Sequence, residues 1–573
     1  MAVLHVNEYS LSNLIKKSVV FMNSELPRRS AHIRAELIRQ AIVGEAAAPA
    51  DSPLRIDSHG ASLDGAAIDG RLDLTSVEYS RPIAFTRCTF DDRIDVSGAK
   101  LDTLTLRDCR APGIDAVATS LRGDLIISGG QLVCPGGLAF NGPSMSIGGS
   151  LMFVDDSLAV GAVSFALANI SGRVVCNGTF RNPLAIASSF DWYAPLYSAI
   201  NGFGATVGQS LGFGTKLNAT GEPCVEGFVI LANAKIGTGI YFVSGSITRG
   251  AQAGVPQECD IQGDPSTRFA IKSGAAFYLH NVEAGELVLT NFLCFEGLLS
   301  LRGARLGTIA DDGTLWRDSK TGLVRKGVAL DLDGCTYSGF TGSMSSSTRM
   351  DWRTRLSWLK TQIPEYLSSE FHPQPFTQCA QVMRSMGDLH GSHMVLLERE
   401  RLRLRSPKVH LWERLTGRLL GLVAGHGYKS DYALYWALAV WVVGGVIFSV
   451  ADRLGQMRPA SEHVLVDDSY RRTGEIPKDY EPLKPFLYSA DILLPIVDIG
   501  QEKFWLPRDS GERPANAATA FPHAPRWVAS ALNWLFGGWI QKTYYYFEIA
   551  MGWLLVSIAL AGFSGHLGHK GEE

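Results

Sequence analysis

The sequence predicts a multidomain α+β protein. An N-terminal β-solenoid, similar to a right-handed β-helix, precedes a helical hairpin and a two-helix transmembrane domain with a re-entrant hairpin. Three observations predict this fold class: a glycine-rich motif recurs in the first half of the 573-residue chain, amphipathic helical segments follow it, and two long apolar segments lie near the C-terminus. A chain of this length is expected to form two or three domains. The predicted boundaries are 1–54 for an N-terminal helical cap, 55–345 for the solenoid, 346–430 for a helical adaptor with a basic juxtamembrane stretch, and 431–573 for the transmembrane domain.

The cap is predicted from one amphipathic segment, RRSAHIRAELIRQAIVGEAAA. At helical spacing its apolar residues fall on one face, with charged residues opposite. These apolar residues are Ile33, Leu37, Ile38 and Ile42. Pro49 follows and is expected to end the helix. The predicted role is to cover the first turn of the domain that follows.

The solenoid is predicted from a repeated motif in which a small residue, an apolar residue and a glycine precede alternating apolar residues. The copies are AAIDGRLDL (66–74), TSLRGDLII (119–127), MSIGGSLMF (145–153), ANISGRVVC (168–176), ATVGQSLGF (205–213) and AKIGTGIYF (234–242), with weaker copies at 281–289 and 304–311. Their spacing fits one solenoid turn per copy, with one degenerate turn. We expect each glycine to supply a corner with positive φ and the alternation to send every second residue inward. A β-sandwich or jelly roll is the alternative, since it also combines short strands with glycine turns.

The adaptor is predicted from apolar residues at helical spacing beyond residue 350. Trp352, Leu356, Leu359 and Ile363 share one face of a first helix. Two further amphipathic helices should meet at Gly387, where a left-handed residue often ends a helix. Eight Lys and Arg residues then fall between 399 and 429.

Two segments are predicted to cross a membrane. Residues 432–451 contain twenty residues without a charge, which as a helix would span about 30 Å, the thickness of the hydrocarbon layer. A second span is predicted at about 546–565, and the Trp-rich segment 527–540 suits a helix on the membrane surface. Basic residues are denser before the first span than between the two, so the N-terminal domain should be cytoplasmic. A buried helix of a soluble protein is the alternative for residues 432–451.

Between these spans lies FLYSADILLPIVDIGQEKFW, residues 486–505, which is apolar but too short to cross. Non-helical backbone at membrane depth is tolerated only when it is buried in protein or lines water. A span, a short re-entrant segment and a second span is the layout of two-helix cation channels. In a symmetric oligomer the carboxylates of this segment could form rings that concentrate cations. The candidate pore-lining residues are Asp491, Pro495, Asp498, Gly500, Gln501 and Glu502.

Two alternatives to a pore remain open at this point. The segment could pack the two spans together without conduction, with Asp498 paired to Lys503 or Arg508 as a structural carboxylate. PIVDIGQ also stands where a potassium channel carries TVGYG, so potassium selectivity is not predicted. The other alternative is an enzyme site in a solenoid groove, built from carboxylate pairs such as 155–156 or 311–312.

The sequence carries no nucleotide-binding, metalloprotease or serine-hydrolase motif. We therefore predict no catalytic residues, no metal and no cofactor. The net charge of −3 gives no basic excess that would indicate nucleic-acid binding.

Several segments resemble a family of bacterial membrane proteins described as pentapeptide-repeat-like or as "membrane-associated oxidoreductase". They are IRAELIRQAI, the AAIDGRLDL motif, QPFTQCAQVMRSMG, GHGYKSDYALYW, LPIVDIGQEKFW and GWLLVSIALAG. The resemblance implies a cytoplasmic β-solenoid on a two-span domain in the bacterial inner membrane. The expected partners are the lipid bilayer, further copies of the chain, and an unidentified cytoplasmic ligand or protein at the solenoid. Architecture alone suggests a role in stress response or phage defence.

Overall fold

The chain folds into two compact units, Met1–Ser406 and Pro407–Glu573. The computed structural model describes residues 31–44, 53–182, 198–213, 225–243, 245–248, 264–273, 276–317, 324–342, 351–424, 431–461, 464, 470, 476–477, 479–509, 517–523 and 525–563.

The first unit contains a large and mostly parallel β-sheet. Its first seventeen strands are β1 (Ala31–Arg34), β2 (Leu54–Asp57), β3 (Gly60–Asp64), β4 (Ala66–Asp69), β5 (Leu72–Asp73), β6 (Glu78–Tyr79), β7 (Ile83–Thr86), β8 (Thr89–Phe90), β9 (Ile94–Asp95), β10 (Lys100–Leu101), β11 (Leu104–Arg107), β12 (Arg110–Ala111), β13 (Ile114–Asp115), β14 (Ser120–Leu121), β15 (Leu125–Ser128), β16 (Gln131–Asn141) and β17 (Ser146–Ile147). The next seventeen are β18 (Leu151–Ser164), β19 (Asn169–Ile170), β20 (Val174–Arg181), β21 (Ile200–Asn201), β22 (Thr206–Val207), β23 (Ser210–Phe213), β24 (Val225–Glu226), β25 (Phe228–Ile230), β26 (Lys235–Phe242), β27 (Gly245–Thr248), β28 (Ala276–Tyr278), β29 (Glu283–Leu289), β30 (Phe292–Phe295), β31 (Gly297–Ser300), β32 (Arg305–Asp311), β33 (Val328–Asp331) and β34 (Thr336–Gly342).

The strands stack in four columns, and each pass of the chain adds one segment to each column in turn. The columns begin with β3–β7–β11, β4–β8–β12, β5–β9–β13 and β6–β10–β14, and all of these pairings are parallel. Leu63 pairs with Phe85, and Phe85 with Leu106, so residues 22 and 21 positions apart occupy the same place on successive passes. Strands β2 and β3 pair antiparallel at the start of the sheet.

The core lies inside the four columns. In the first column the same inward position is taken by Leu63, Phe85, Leu106, Ile127 and Phe153, each 1% exposed. Every pass thus adds apolar side chains directly above those of the pass before. Removal of this surface from water is the main force that holds the stack together.

The later copies of the repeated motif follow the pairing of the fourth column. Its register runs through Ser120, Ser146, Asn169, Thr206, Lys235, Glu283 and Arg305. The copy at 66–74 lies in β4 and β5, which belong to the second and third columns, so grouping it with the others was wrong. The equivalents of Ser120 on the two preceding passes are Lys100 and Glu78.

In the copies from residue 119 onward the motif glycine does not have a positive φ, so the expectation of a glycine corner was wrong for them; Gly70 of the copy at 66–74 does have one, of 83°. A Cβ on Gly208 or Gly237 would collide with the carbonyl oxygen of Ser171 or Gly208 on the preceding pass. Glycine is therefore needed for close stacking. A residue with positive φ recurs at the corner before the fourth column, on successive passes Ser76, Gly98, Ala118, Ser144, Leu167, Gly204, Asn233, Asn281, Gly303 and Gly334. Other residues with positive φ follow the first column, among them Gly65, Arg87, Asp108 and Gly129.

The described part of the predicted cap is a strand followed by a helix. Residues Ala31–Arg34 form β1 and pair with β4, so the expectation of a continuous helix was wrong there. Helix α1 (Ala35–Val43) follows and ends at Gly44, whose φ is 84°. Ile38 and Ile42 are buried residues of the helix, whereas Ile33 is a buried residue of the strand. Residues 1–30 of the predicted cap lie outside the described part of the chain.

Helices complete the first unit. They are α2 (Pro265–Ser273), α3 (Trp352–Leu359), a 3-10 turn (Pro364–Leu367), α4 (Gln374–Ser385) and α5 (Leu389–Arg405). Helix α3 ends at Leu359, so placing Ile363 on the same helix was wrong; Ile363 is buried just before the 3-10 turn. Gly387 separates α4 from α5 with a φ of 91°, which confirms the predicted turn. Phe376 and Met383 of α4 and Val395 of α5 are fully buried in the hairpin region.

In its described residues the second unit forms helices and one short antiparallel strand pair, β35 (Met457–Pro459) with β36 (Trp505–Pro507). Its helices are α6 (Leu411–Ala424), α7 (Asp431–Arg453), α8 (Pro485–Leu493), α9 (Ala517–Ala520), α10 (Arg526–Gly538) and α11 (Ile540–Phe563). Within the described ranges, one helical segment is long and apolar enough to cross a membrane: Leu434–Arg453, with a mean hydropathy of 2.0 and 28% of its most apolar 18-residue stretch buried. Residues 564–565 of the predicted second span lie outside those ranges.

Candidate functional site

The predicted re-entrant segment forms a short helix followed by a return loop. Helix α8 starts at Pro485, ends at Leu493 and leads into a turn that contains the half-buried Pro495. Gly500 lies in the return loop with a φ of 86°, a conformation that favours glycine. The loop ends at Trp505, where β36 begins. Helix α8 and this return loop together, residues 485–505, are called the hairpin below.

Asp491 is buried inside the hairpin and links helix α8 to the return loop. Its side chain lies at the end of α8, and the residue is only 7% exposed. One carboxylate oxygen accepts the backbone N–H of Ile499 at 2.6 Å, and the other accepts that of Glu502 at 2.8 Å. Hydrogen bonds to an ionised group are among the stronger ones in proteins, so Asp491 fixes the path of the return loop.

Gln501 ties the return loop to the other end of α8. It is 5% exposed, and its Oε1 accepts the backbone N–H of Lys484 at 3.0 Å. Trp505 Nε1 donates to the carbonyl oxygen of Glu481 at 2.9 Å. The loop is therefore held at both ends by side chains that satisfy backbone groups, as irregular backbone in an apolar setting requires.

Asp498 and Glu502 point outward from the same loop. Asp498 forms an ion pair with Lys503, and these two side chains are 63% and 68% exposed. Glu502 Oε1 accepts the hydroxyl of Tyr545 at 2.6 Å. Arg508, the other partner considered for Asp498, donates instead to Met457 O and to the Tyr470 hydroxyl. Of the six candidate residues, the structure thus places Asp491 and Gln501 inside the hairpin and Asp498 and Glu502 on its surface.

Three glycines allow α8 to approach the two long helices. A Cβ on Gly445 of α7 would collide with the ring of Phe486, and a Cβ on Gly552 of α11 would collide with the carbonyl oxygen of Leu493. A Cβ on Gly444 of α7 would collide with the side chains of Ser489 on α8 and Glu548 on α11. Sequence analysis did not identify these glycines, although each interrupts an apolar run, which often indicates close helix packing.

A polar cluster lies where α7, α8 and α11 meet. Glu548 of α11 and Ser489 of α8 are both 0% exposed, and their side chains are hydrogen-bonded to each other. The Ser489 hydroxyl also lies 3.0 Å from the carbonyl oxygen of Trp441, and Trp441 Nε1 donates to Phe486 O at 2.8 Å. Sequence analysis missed this cluster, although a carboxylate inside the apolar run YYYFEIAMGW marks it.

The outer surface of the second unit carries large apolar side chains. Leu434 and Leu438 of α7 are 62% and 54% exposed, and Ile496 at the hairpin tip is 71% exposed. On α10, Trp527 and Trp534 are 74% and 70% exposed. An extended apolar surface with tryptophans suits contact with lipid or with another protein subunit.

A groove on the first unit follows the fourth column of strands. It is shallow and open to solvent, with a volume of about 650 Å³, and is lined by Thr206, Lys235, Glu283 and Arg305 together with Gly208 and Gly237. Glu283 pairs with both neighbouring cations, at 3.8 Å from Lys235 and 3.3 Å from Arg305. The charges of the groove therefore alternate across successive passes, with one more cation than anion among its lining residues.

Three of the four carboxylates proposed for an enzyme site, Asp155, Asp311 and Asp312, have structural partners. Asp311 is buried and forms an ion pair with Arg355 at 2.5 Å. Asp312 accepts the backbone N–H groups of Asn291 and Thr314. Asp155 accepts the hydroxyl of Ser128. The described residues contain no group of three His, Cys, Asp or Glu side chains that could hold a metal ion.

Comparisons with protein families, with curated proteins and with solved structures find no match to this chain.

Proposed function

We propose that this chain is a subunit of a homo-oligomeric membrane protein in the bacterial inner membrane, in which a cytoplasmic β-solenoid binds a ligand or partner and a two-span domain forms a cation-conducting pore. The observation that carries this proposal is the hairpin of residues 485–505. It combines a half-length helix with a return loop, in which Asp491 accepts two backbone N–H groups of the loop and Gln501 of the loop accepts the N–H of Lys484 at the start of the helix. It also packs between two long apolar helices, α7 and α11.

The solenoid part of the proposal is supported by the four parallel columns. The early passes contain 21 or 22 residues each, which is about five residues for each of four sides. This is the geometry expected of a pentapeptide-like repeat. Stacked passes also bring side chains distant in sequence onto one flat surface. The groove at Lys235, Glu283 and Arg305 is the part of that surface we assign to a cytoplasmic partner.

The membrane part is supported by helix length and surface character. Segment Leu434–Arg453 has a hydropathy suited to a span, and most of it is not buried within the protein. Helix α11 contains 24 residues, enough to cross about 30 Å of hydrocarbon. Trp527 and Trp534 of α10 are well exposed, as for a helix at the membrane surface. Two spans return the chain to its starting side, which would leave the solenoid and the C-terminus in the cytoplasm.

A membrane-anchored scaffold without conduction is the second candidate, and one observation favours it. Asp491 is turned into the hairpin, and Asp498 is paired with Lys503. A ring of carboxylates at a pore mouth would require side chains that are free to attract cations.

Conductance and oligomeric mass together distinguish the two candidates. The purified full chain should form a homo-oligomer in detergent and should pass cations across planar bilayers with asymmetric salt. Asp498→Asn should reduce the conductance or shift the reversal potential. Asp509→Asn is the matched control, because Asp509 is also an exposed carboxylate paired with a lysine, Lys542, but lies outside the hairpin. A monomer, or an oligomer that passes no current, would refute the pore and leave the scaffold.

A further inference from the structure

The buried polar cluster of the second unit has more hydrogen-bond acceptors than donors. Ser489 Oγ contacts two acceptor oxygens, Glu548 Oε1 and the carbonyl oxygen of Trp441. A serine hydroxyl carries one proton and can donate only one hydrogen bond. If Glu548 is ionised, one of these two contacts joins two oxygens without a hydrogen between them.

A single added proton resolves this conflict. A protonated Glu548 donates to Ser489 Oγ, and Ser489 then donates its own proton to the Trp441 carbonyl oxygen. Each contact in the chain Glu548–Ser489–Trp441 then has one donor and one acceptor. The remaining carboxyl oxygen, Oε2, has no hydrogen-bond partner within the described structure. This leaves a neutral carbonyl oxygen unsatisfied, which costs far less than an unsatisfied ionised carboxylate.

No described cation compensates a negative charge on Glu548. Among the residues that the structure describes, no Lys, Arg or His side chain forms an ion pair with it. Both carboxyl oxygens lie against Gly444, where even an added Cβ would collide with them. That side of the carboxyl group is therefore closed to a hydrating water. An ionisable residue in such a position within a membrane domain is a functional site by default.

We propose that Glu548, Ser489 and the Trp441 carbonyl group form a proton-binding site at the junction of α7, α8 and α11, which is occupied when the hairpin is packed between the long helices. The site needs neither conduction nor a bound partner, so it rests on the membrane placement of the second unit proposed above but not on the pore. Loss of the proton places a charge between tightly packed helices, and hydration of that charge requires α8 to separate from α7. The hairpin is thereby coupled to proton concentration.

The other titratable groups near this junction are already engaged or uncharged. Tyr488 of α8 is buried beside the site, and the Tyr544 hydroxyl of α11 donates to Val440 O at 2.8 Å. The hairpin carboxylates Asp491 and Glu502 are held by backbone N–H groups and by a tyrosine hydroxyl, respectively. Helix α7 contributes the Trp441 carbonyl group and Gly444 to the site. Glu548 is therefore the group whose protonation determines the charge at the junction.

Infrared spectroscopy of the full chain in lipid nanodiscs tests the proposal directly. A neutral carboxylic acid has a C=O stretching band above the amide and carboxylate bands. We expect this band in the parent protein at neutral pH, and we expect Glu548→Gln to remove it. Ser489→Ala should keep the band but move it to higher frequency, because the acid loses its hydrogen-bond acceptor. Glu481→Gln is the control, because Glu481 is an exposed carboxylate paired with Lys484, and it should leave the band unchanged.

Three results would overturn the assignment. The parent could lack the band, the band could persist in Glu548→Gln, or sodium ions at fixed pH could abolish it, which would indicate a monovalent cation site instead. If Glu548→Gln fails to fold, the frequency shift in Ser489→Ala decides alone, and an unshifted band refutes the proposal. A parent that shows the band but passes no current would retain the proton site and lose the pore.

Discussion

The contrast between two carboxylates of one hairpin allows a sharp test of how the hairpin is built. Asp491 accepts two backbone N–H groups inside the hairpin, whereas Asp498 lies on its surface beside Lys503. We expect Asp491→Asn to destabilise the second unit and Asp498→Asn to leave its stability nearly unchanged. The two substitutions remove the same charge with almost no change of shape, so only the environment differs.

The magnitude follows from the hydrogen bonds that are lost. An asparagine offers one carbonyl oxygen, and its amino group would face the second N–H donor, that of Ile499 or Glu502. A buried donor left without an acceptor costs about 1–3 kcal/mol. For a domain of about 150–250 residues each kcal/mol lowers Tm by about 2–4 °C, so we expect a decrease of about 5 °C for Asp491→Asn.

A thermal-shift assay of the full chain in detergent measures this decrease. Amide hydrogen exchange then localises it, because the amides of Ile499 and Glu502 should be protected in the parent and should exchange faster in Asp491→Asn. Equal thermal shifts for the Asp491 and Asp498 variants would refute the argument. So would unchanged protection of Ile499 and Glu502, since the two hydrogen bonds would then not hold the loop.

Three further predictions concern the first unit. Gly237→Ala should lower its free energy of unfolding by about 1–3 kcal/mol, because the new Cβ meets a backbone carbonyl; Gly212→Ala, with no atom within 4 Å of its Cβ, is the control and should change it by less than about 1 kcal/mol in denaturant titrations. Arg355→Met should cost about 3–5 kcal/mol, because it leaves the buried Asp311 charge without its partner; the same titration should show that adding Asp311→Leu restores stability, and no restoration would contradict the ion-pair argument. Burial lowers the pKa of His280 below its ordinary value of 6.5, so the unfolded chain binds a proton there first and stability should fall as pH drops below about 6.5. His280→Gln should reduce the difference in Tm between about pH 7.5 and about pH 5.5, and an unchanged difference would assign the pH dependence to other groups.

The periodic features of the fold were predictable from the sequence. A stack of passes repeats the same contacts, so the motif copies from residue 119 onward share one order of small, apolar and glycine residues, and they pair in the fourth column. Helical spacing also predicted the hairpin around Gly387. The purpose of the motif glycine was not predictable, because a pattern along one strand does not reveal the carbonyl oxygen of the preceding pass.

The buried features of the second unit were harder to predict for the same reason. Gly444, Ser489 and Glu548 come from three helices and are far apart in sequence, so no local spacing connects them. The six candidate residues were chosen because they share one short segment. Their side chains nevertheless divide between the interior and the surface. Asp491 lies in helix α8 with its side chain buried in the hairpin, whereas Asp498 lies at the exposed tip.

The tip of the hairpin combines two opposite solvent requirements within three residues. Ile496 is 71% exposed and Val497 is 51% exposed, whereas the neighbouring Asp498 side chain is charged and 63% exposed. Apolar side chains of this size are stabilised by lipid or by another subunit, and a carboxylate with a single exposed lysine partner is stabilised by water. A boundary between an apolar phase and water meets both requirements. Such a boundary exists at the mouth of an oligomeric pore and also at the surface of a bilayer. In a pore the apolar pair would face a neighbouring subunit, so Ile496→Ser should reduce the oligomer in detergent; in a scaffold the same pair would face lipid, and the oligomeric mass should not change.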